Sequence, residues 1–326
     1  MNQVKYRWAT LGVGVIGHEL AEAMQALGGN LYAVGNRTHA KAEAFAQQYG
    51  IGRVYDQPED MFSDPDVDIV YISTPHNTHL QFMRQALAAG KHVLCEKAIT
   101  LNSAELAEAV ALAKEHHVVL GEAQTVYHMP IYHELAARQQ RGDFGPLRVI
   151  TLNFGSYKPY DMQNRFFNRN LAGGAMLDIG VYALSCMRWF MSAQPAHMQT
   201  QVRYAPTGVD EQASMLLQND AGEMATVMLS LHAKQPKRVT LSFDKAYIEL
   251  YNYPRGDKAV ITWTADGHQE EVKAGETARA LQYEVLDMER AVAGEPECMH
   301  LDYTRDVMQL MTQAREQWGM RYPEEE

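Results

Sequence analysis

The first part of the chain alternates short apolar runs with segments in which apolar residues recur at helical spacing. We predict strands at Trp8–Val13, Leu31–Asn36, Asp68–Thr74, His92–Cys95 and Val118–Glu122. Helical spacing is clearest in two sets, Ile16, Leu20, Ala23 and Leu27, and Leu106, Ala109, Val110 and Ala113. Asn102 precedes the second set as a predicted N-cap, with Glu105 three residues later. Strands that alternate with helices are typical of βαβ units and a parallel sheet.

The pattern changes near residues 142–146, after which β-rich runs follow one another with few helices between them. We predict strands at Leu147–Tyr157, Gln199–Tyr204, Gln212–Gln218, Glu223–His232, Lys237–Phe243, Tyr247–Tyr251 and Ala259–Thr264. Helices are predicted at Ala175–Met191, Ala278–Ala293 and Tyr303–Trp318. The last residues, Pro323–Glu326, are expected to fray. This order indicates a large, mainly antiparallel sheet.

A chain of 326 residues exceeds what one hydrophobic core usually organises, since a domain typically has about 150 residues. We therefore predict an α/β protein of two domains. Residues 1–124 form a Rossmann domain with a parallel sheet. Residues 125–326 form an α+β domain with an open, mostly antiparallel sheet.

Charge and composition argue against several kinds of partner. A net charge of −11 disfavours nucleic acid, because the chain would repel a phosphate backbone. No run approaches the roughly 18 consecutive apolar residues that a membrane span needs, so we expect a soluble protein without a membrane partner. Cys95, Cys186 and Cys298 are widely spaced, which favours a reducing, cytoplasmic location. They lack metal-ligand spacing and the histidines are scattered, so we predict no metal site.

A glycine motif lies where the first predicted strand turns into the first helix, as the G-x-G-x-x-G fingerprint of dinucleotide binding requires. Gly12 permits the tight turn, Gly14 lets the backbone approach a pyrophosphate, and Gly17 allows close packing of helix on strand. The helix start, at Val15 and Ile16, offers free N–H groups to the phosphates. The alternative is a tight turn without a ligand.

The end of the second strand distinguishes the two nicotinamide cofactors, and here it reads Asn36-Arg37-Thr38 without an acidic residue. An Asp or Glu would bind a ribose 2′-hydroxyl and repel a 2′-phosphate, whereas Arg37 can make charge-assisted hydrogen bonds to that phosphate. The pattern therefore favours NADP over NAD. The alternative for Arg37 is a solvated cation at the start of a helix.

Two further segments follow strands at the carboxyl edge of the sheet, where ligands bind in open α/β folds. Ser73, Thr74, Pro75, Asn77 and His79 are placed to line the cofactor. Asn77 can equally cap the next helix, and a histidine such as His79 is more often packed in the fold than in contact with a ligand. Glu96 and Lys97 end the fourth strand, so both are predicted at the same edge.

The predicted helix Ala175–Met191 carries two more candidate residues. Asp178 and Tyr182 are four residues apart and share a helix face, and Gly173-Gly174 before them allow close backbone approach. Spacing alone leaves open a structural reading, in which Asp178 caps or pairs locally and Tyr182 packs in the core.

Taken together, these motifs resemble the glucose-fructose oxidoreductase/inositol dehydrogenase/MocA family. The shared residues are the glycine motif, Ser73-Thr74-Pro75, Glu96-Lys97 and the run from Ala172 to Tyr182, so the likeness covers nearly the whole chain. The tyrosine at 182 is similar to the branch that contains glucose-fructose oxidoreductase and dimeric dihydrodiol dehydrogenase, which uses NADP. The family usually has proline where this chain has Ala98, so the turn that holds Lys97 is expected to be less rigid.

The resemblance implies an active site between the two domains and a homodimer or homotetramer formed through the second sheet. It implies Lys97, Tyr182 and Asp178 as catalytic residues. A tyrosine is a poor base because its ordinary pKa is about 10, but a nearby ammonium favours the phenolate. We expect Tyr182 to act as general acid/base, Lys97 to tune it and bind the reacting oxygen, and Asp178 to orient substrate hydroxyls.

The substrate is expected to be a small hydroxyl-rich molecule, such as a sugar, a cyclic polyol or a dihydrodiol. The polar residues expected near the cofactor are Asn153, Tyr157, Lys158, Asn164, Arg165 and Asn168. Of these, Asn153, Tyr157 and Arg165 are predicted substrate-binding residues together with Lys97, Asp178 and Tyr182; each alone reads equally well as a solvated loop residue. The competing functions are a non-catalytic NADP-binding sensor or regulator, and a structural protein without a ligand.

Overall fold

The computed structural model describes residues 4–326; the first three residues of the predicted Rossmann domain lie outside that range. The chain divides into two compact units. One consists of the described part of Met1–Gln124 together with Leu281–Asp302, and the other of Thr125–Ala280 together with Tyr303–Glu326. The separate roles assigned to residues 1–124 and 125–326 stay a prediction.

A parallel sheet forms the centre of the first unit, as predicted, but it has six strands and not the five that were predicted. Its strands are β1 (Trp8–Leu11), β2 (Ala33–Gly35), β3 (Arg53–Tyr55), β4 (Ile69–Ile72), β5 (His92–Glu96) and β6 (Leu120–Ala123). They pair in the order β3-β2-β1-β4-β5-β6, so the sheet grows in opposite directions from β1 and from β4. In open α/β sheets the crevice for a ligand lies at such a reversal, beyond the carboxyl ends of the strands.

The helices of both units account for most of the remaining regular structure. They are α1 (Val15–Ala26), α2 (His39–Tyr49), α3 (Pro58–Ser63), α4 (His79–Ala88), α5 (Ser103–Glu115), α6 (Pro130–Gln140), α7 (Val181–Phe190), α8 (Ala280–Val292) and α9 (Leu301–Trp318). The predicted cap of α5 is confirmed, since Asn102 Oδ1 accepts a hydrogen bond from Glu105 N at 2.9 Å. Glu105 Oε2 in turn accepts one from Leu101 N at 2.9 Å.

Residues from late in the chain complete the first unit. Glu289 on α8 accepts hydrogen bonds from the indole Nε1 of Trp8 at 3.0 Å and from Lys5 N at 2.7 Å. Met299 packs on Gly121, where a β-carbon would lie 2.5 Å from the methionine Cε. Glu289 therefore ties α8 to the start of β1.

The second unit contains an open sheet of eight strands, which confirms the predicted, mostly antiparallel architecture. The strands are β7 (Leu147–Gly155), β8 (His197–Tyr204), β9 (Asp210–Gln218), β10 (Met224–Ser230), β11 (Arg238–Phe243), β12 (Ala246–Tyr251), β13 (Lys258–Trp263) and β14 (Gln269–Lys273). They pair in the order β14-β13-β12-β11-β7-β10-β9-β8, and only β7 and β10 pair in parallel. Ile150, Leu152 and Phe154 of β7 are buried and alternate with more exposed residues, so one face belongs to the core.

Two predictions for the second unit need correction. The predicted helix Ala175–Met191 is helical, but it begins with a wider π-turn at Met176–Gly180 before α7. There the Met176 N–H is bound by Asp210 on β9, so a strand side chain helps to determine how the helix begins. The prediction that Pro323–Glu326 frays is wrong. Pro323–Glu325 form a 3-10 turn, Tyr322 is fully buried, and Arg315 binds both carboxylate oxygens of Glu325, at 2.6 and 2.9 Å.

Candidate active site

The glycine motif adopts the strand-to-helix turn that the sequence predicts. Gly12 has a φ of +111°, which L side chains rarely adopt, and a β-carbon there would lie 2.7 Å from Ser73 Oγ. A β-carbon at Gly17 would lie 2.8 Å from Gly12 O. Ser73 closes the arrangement, because its Oγ lies 3.3 Å from both the Leu11 and the Gly12 carbonyl oxygens. The ends of β1 and β4 and the start of α1 therefore approach too closely for any side chain at Gly12 or Gly17.

The first turn of α1 is open to a ligand. Gly14 is its N-cap and has no side chain with which to bind the first amides, and a β-carbon at Gly14 would meet nothing within 4 Å. Uncapped N–H groups at a helix start, together with the helix dipole, favour an anion there. Val15 is 79% exposed, which is unusual for a valine beside buried strands. This geometry can hold a phosphate against the backbone, with Ile16 in the same turn.

Arg37 follows β2 and is exposed. Within residues 4–326 its guanidinium forms no ion pair. Its neighbour Asn36 donates from Nδ2 to Thr38 O at 3.0 Å, which shapes the turn between β2 and α2. Arg37 is therefore a cation whose charge is available at the end of β2.

Two histidines that follow β4 contact the backbone carbonyl oxygens of Lys97 and Ala98. His76 Nε2 lies 3.1 Å from Lys97 O, and His79 Nδ1 lies 3.1 Å from Ala98 O. The Glu96 carboxylate accepts a hydrogen bond from Tyr71 Oη and one from Lys97 N, the latter at 3.2 Å. The Lys97–Ala98 peptide bond is cis. Side chains therefore contact the backbone on both sides of Lys97, just after the end of β5. They do so although Ala98 stands where the family has proline.

The structure tests the alternatives that the sequence left open for His79 and Asn77. The His79 imidazole is fully buried, and its second nitrogen, Nε2, lies 2.8 Å from Thr74 O, so it packs in the fold and positions the backbone there; its contact with a cofactor stays a prediction. Burial lowers the pKa of His79, while the neighbouring carbonyls partly oppose that effect. Asn77 does not cap α4, because it lies inside a 3-10 turn and Thr78 occupies the N-cap position.

We expect His79→Leu to destabilise the protein by about 1–3 kcal/mol, because the carbonyls of Thr74 and Ala98 lose a buried polar partner. Urea unfolding measures the loss. His197→Gln, an exposed change on β8, serves as the control and is expected to leave the midpoint unchanged. Equal stability of His79→Leu and the wild type would contradict the positioning role.

In the second unit, the aromatic ring of Tyr182 stacks on Phe154 at the end of β7, with centroids 6.0 Å apart. One helical turn earlier, Asp178 is buried and pairs with Arg165, whose Nη1 lies 3.4 Å from Asp178 Oδ1. Arg165 itself lies 4.4 Å above the Phe166 ring, and its side chain is more than half exposed. Arg165 thus fixes the buried carboxylate of Asp178, and we group Tyr182 with this pair because it lies four residues after Asp178 in the same helical segment.

The other two predicted substrate residues, Asn153 and Tyr157, lie on β7 and in the segment that follows it. Strand alternation places Asn153 on the face of the sheet opposite Phe154, where it lines a concavity with Met228 and Leu216. The role of Asn153 in substrate binding stays a prediction. Tyr157 is 56% exposed and stacks on His232, with centroids 5.4 Å apart.

Sequence reasoning missed several residues that shape these groups. His76 contacts the Lys97 carbonyl, Phe154 supports Tyr182, and Lys237 places its ammonium 4.7 Å above the Phe154 ring. No local signal marks Phe154 or Lys237, because their neighbours come from distant strands. The described residues include no group of three or more His, Cys, Asp or Glu side chains that could hold a metal ion. They also contain no helix long and apolar enough to cross a membrane.

Sequence comparison finds known proteins along most of the chain. The family model described as GFO_IDH_MocA, an oxidoreductase family with an NAD-binding Rossmann fold, matches residues 6–124. The model of the GFO/IDH/MocA C-terminal domain matches residues 132–249. A Mus musculus protein named trans-1,2-dihydrobenzene-1,2-diol dehydrogenase is 32% identical over 250 residues, which cover 75% of this chain and 74% of that protein.

Solved structures share the fold over nearly the full length. A 3-ketoreductase from Actinomadura kijaniata, in complex with TDP-benzene and NADP, superposes with a TM-score of 0.83 at 22% identity, covering 97% of this chain and 98% of that one. An aldose-aldose oxidoreductase from Caulobacter crescentus, complexed with glycerol, also has a TM-score of 0.83, at 23% identity, covering 96% of this chain and 98% of that one. At these identities the likeness establishes the fold.

Proposed function

Because the chain belongs to the GFO/IDH/MocA family of oxidoreductases, we propose that it is an NADP-dependent dehydrogenase acting on a CH–OH group of a small hydroxylated molecule. The observation that carries the proposal is the presence of two features in this chain. One is a glycine turn that leaves the first amides of α1 uncapped, and the other is the Tyr182–Asp178–Arg165 group.

The residues of the first unit fit a dinucleotide. Gly12 and Gly17 leave room that a β-carbon would fill, and the uncapped amides at Val15 and Ile16 suit a pyrophosphate. The exposed Arg37 suits a 2′-phosphate, which supports NADP over NAD. Ser73, Thr74 and Pro75 belong to the same carboxyl edge of the sheet. When bound, the nicotinamide accepts or donates the hydride.

Residues of this chain manage the proton and the orientation of the substrate. Tyr182 takes the hydroxyl proton in oxidation and returns it in reduction. Lys97 supplies a positive charge that favours the phenolate and binds the reacting oxygen. Asp178, held by Arg165, accepts hydrogen bonds from substrate hydroxyls and thereby orients the reacting carbon.

The substrate class we propose is a sugar, a cyclic polyol or a dihydrodiol. The dihydrodiol follows the name of the mouse relative, and the sugar follows that of the aldose-aldose oxidoreductase. The test titrates NADPH and NADH by fluorescence and then follows nicotinamide absorbance with pyranoses, inositols and trans-dihydrodiols. Turnover with one of these classes is expected. Tight NADPH binding without hydride transfer to any of them would favour a sensor instead.

We also propose that the open face of the second sheet joins copies of this chain into a homodimer or homotetramer. Met228, Leu216 and Met224 are 45%, 40% and 38% exposed on that face, and a concavity of about 580 Å³ lies between its strands. Contiguous apolar surface of this kind marks interaction sites.

Met228→Glu is expected to convert the assembly to monomers, because a buried unpaired charge costs several kcal/mol at an interface. Light scattering after gel filtration measures the mass. Gln47→Glu on α2 is a control that adds the same charge at an exposed position in the first unit. A Met228→Glu protein with the wild-type mass would contradict an interface at this face.

A further inference from the structure

The helix that carries Asp178 and Tyr182 begins at a turn held by two other parts of the second unit, β9 and the residues after α9. Gly174 has a φ of +125°, and a β-carbon there would lie 2.1 Å from Asp210 Oδ1. Tyr322 donates from Oη to Gly173 O at 2.7 Å. Asp210 Oδ2 accepts the Met176 N–H at 2.6 Å. The start of the helix therefore has a strand carboxyl on one side and the C-terminal segment on the other.

Asp210 is completely buried, and its two oxygens differ in their surroundings. Oδ2 receives the Met176 amide, whereas Oδ1 has no hydrogen-bond partner within residues 4–326. A buried oxygen without a donor is a poor place for negative charge. The geometry therefore fits a neutral carboxylic acid, with Oδ2 as the acceptor. Burial raises the pKa of Asp210 to about 7. The backbone amides of Met176, of Asp210 itself and of Ala175, and the charge of Arg315, lower it and partly oppose that effect.

The charge of Arg315 lowers the pKa of Asp210, but its guanidinium is bound by Glu325. Its side chain is 3% exposed, and it binds Glu325 through two hydrogen bonds of 2.6 and 2.9 Å. It also lies 4.8 Å above the Tyr322 ring. The other titratable groups whose pKa responds to Asp210 are Tyr322 and Tyr204, the residue that pairs with it on β8. Glu325 therefore binds the guanidinium whose charge also acts on Asp210.

We propose that Asp210 is a positioning residue for the helix bearing Asp178 and Tyr182, and that Arg315, retained by Glu325 of the C-terminal segment, sets the protonation state in which it acts. Asp210 works through the backbone amide of Met176 and not through the substrate. The inference rests on the proposed function, because it concerns the helix that carries the proposed catalytic residues.

The neutral acid is the form that holds the turn as observed. When Asp210 ionises, Oδ1 gains a charge and no donor, so the carboxylate moves toward Arg315 and releases the start of the helix. Turnover is therefore expected to fall as the pH rises through about 7. A proton-transfer group such as Tyr182 must be deprotonated for oxidation and protonated for reduction, so its effect reverses with direction. A positioning group lowers turnover in both directions.

The experiment compares pH profiles of turnover for three full-length variants and the wild type. Asp210→Asn keeps an acceptor for Met176 N but cannot ionise, so the fall near pH 7 is expected to disappear. Glu325→Gln frees Arg315 to stabilise the Asp210 carboxylate, so the fall is expected to shift about 1–3 pH units lower. Glu270→Gln is the matched control, because Glu270 binds Arg138 through a similar pair of hydrogen bonds, and its profile is expected to match the wild type.

The proposal is overturned if the fall persists in Asp210→Asn, or if Glu325→Gln has the profile of Glu270→Gln. Glu325→Gln alone decides the matter if Asp210→Asn does not fold.

Thermal unfolding distinguishes failure of the Asp210 proposal from failure of the proposed function. A raised folded-state pKa means that wild-type stability declines as the pH rises from about 4 to about 7, a decline that Asp210→Asn lacks. That difference is expected whether or not a substrate is found, and its absence overturns the assigned protonation state.

Discussion

Tyr182→Phe is expected to lower turnover about 10²-fold or more while leaving NADPH affinity unchanged. The substitution removes only the hydroxyl, so the ring still stacks on Phe154 and the helix keeps its packing. What is lost is the atom that, in the proposed mechanism, exchanges a proton with the substrate. Steady-state kinetics in both directions, with fluorescence titration of NADPH, measures the two effects separately.

A double-mutant cycle extends this test to Lys97. If Lys97 tunes Tyr182, Lys97→Met and Tyr182→Phe each remove the same couple, so the double variant is expected to be little slower than either single one. Tyr247→Phe changes an exposed tyrosine of the second sheet and serves as the control for losing a hydroxyl. Near-normal turnover of Tyr182→Phe would refute the acid/base role, and strictly additive losses would refute the coupling.

Arg37→Glu is expected to weaken NADPH binding about 10- to 100-fold and to leave NADH binding equal or tighter. A hydrogen bond to a charged group contributes about 1.5–3 kcal/mol, and the new carboxylate adds repulsion toward the 2′-phosphate. With NADH, the same carboxylate can accept a hydrogen bond from the ribose 2′-hydroxyl. Fluorescence titration of both cofactors measures the reversal.

Lys41→Glu is the matched control for Arg37→Glu. It makes the same change of charge on an exposed residue of α2, and both cofactors are expected to bind as in the wild type apart from a small effect of net charge. If Arg37→Glu bound NADPH and NADH in the wild-type ratio, Arg37 would be a solvated cation, and the preference for NADP would lose its support in this chain.

Local patterns predicted most of the secondary structure because each pattern reports a nearby physical requirement. The strands of the first sheet are continuous apolar runs because both faces are buried, as the fully buried residues of β4 illustrate. The glycine motif can be recognised in the sequence because neighbouring atoms lie too close to Gly12 and Gly17 for any side chain to fit there. The helix cap formed by Asn102 and Glu105 can be recognised because the two residues are only three positions apart.

Two of the four edge strands show where such reasoning stops. Neither β3 nor β14 was predicted, and both lie at an end of their sheet. An edge strand has one neighbour, and β14 reads Gln-Glu-Glu-Val-Lys, without an apolar run. Its pairing with β13 is determined by a partner strand and not by its own composition.

The sequence by itself determined the two sheet types, the dinucleotide turn and the family resemblance, because these depend on residues close together in the chain or on motifs that survive as short strings. Tertiary structure alone decided that α8 ties to β1 through Glu289, that His76 and His79 hold the backbone of Lys97, and that Asn153 and Phe154 lie on opposite faces beside different partners. It also placed Tyr322 on the turn that starts the helix of Tyr182. Most of these contacts join residues that are about 20 to nearly 300 positions apart, and the placement of Asn153 and Phe154 depends on which side of a strand is covered. Local spacing in the sequence specifies neither the distant partner nor the covered side.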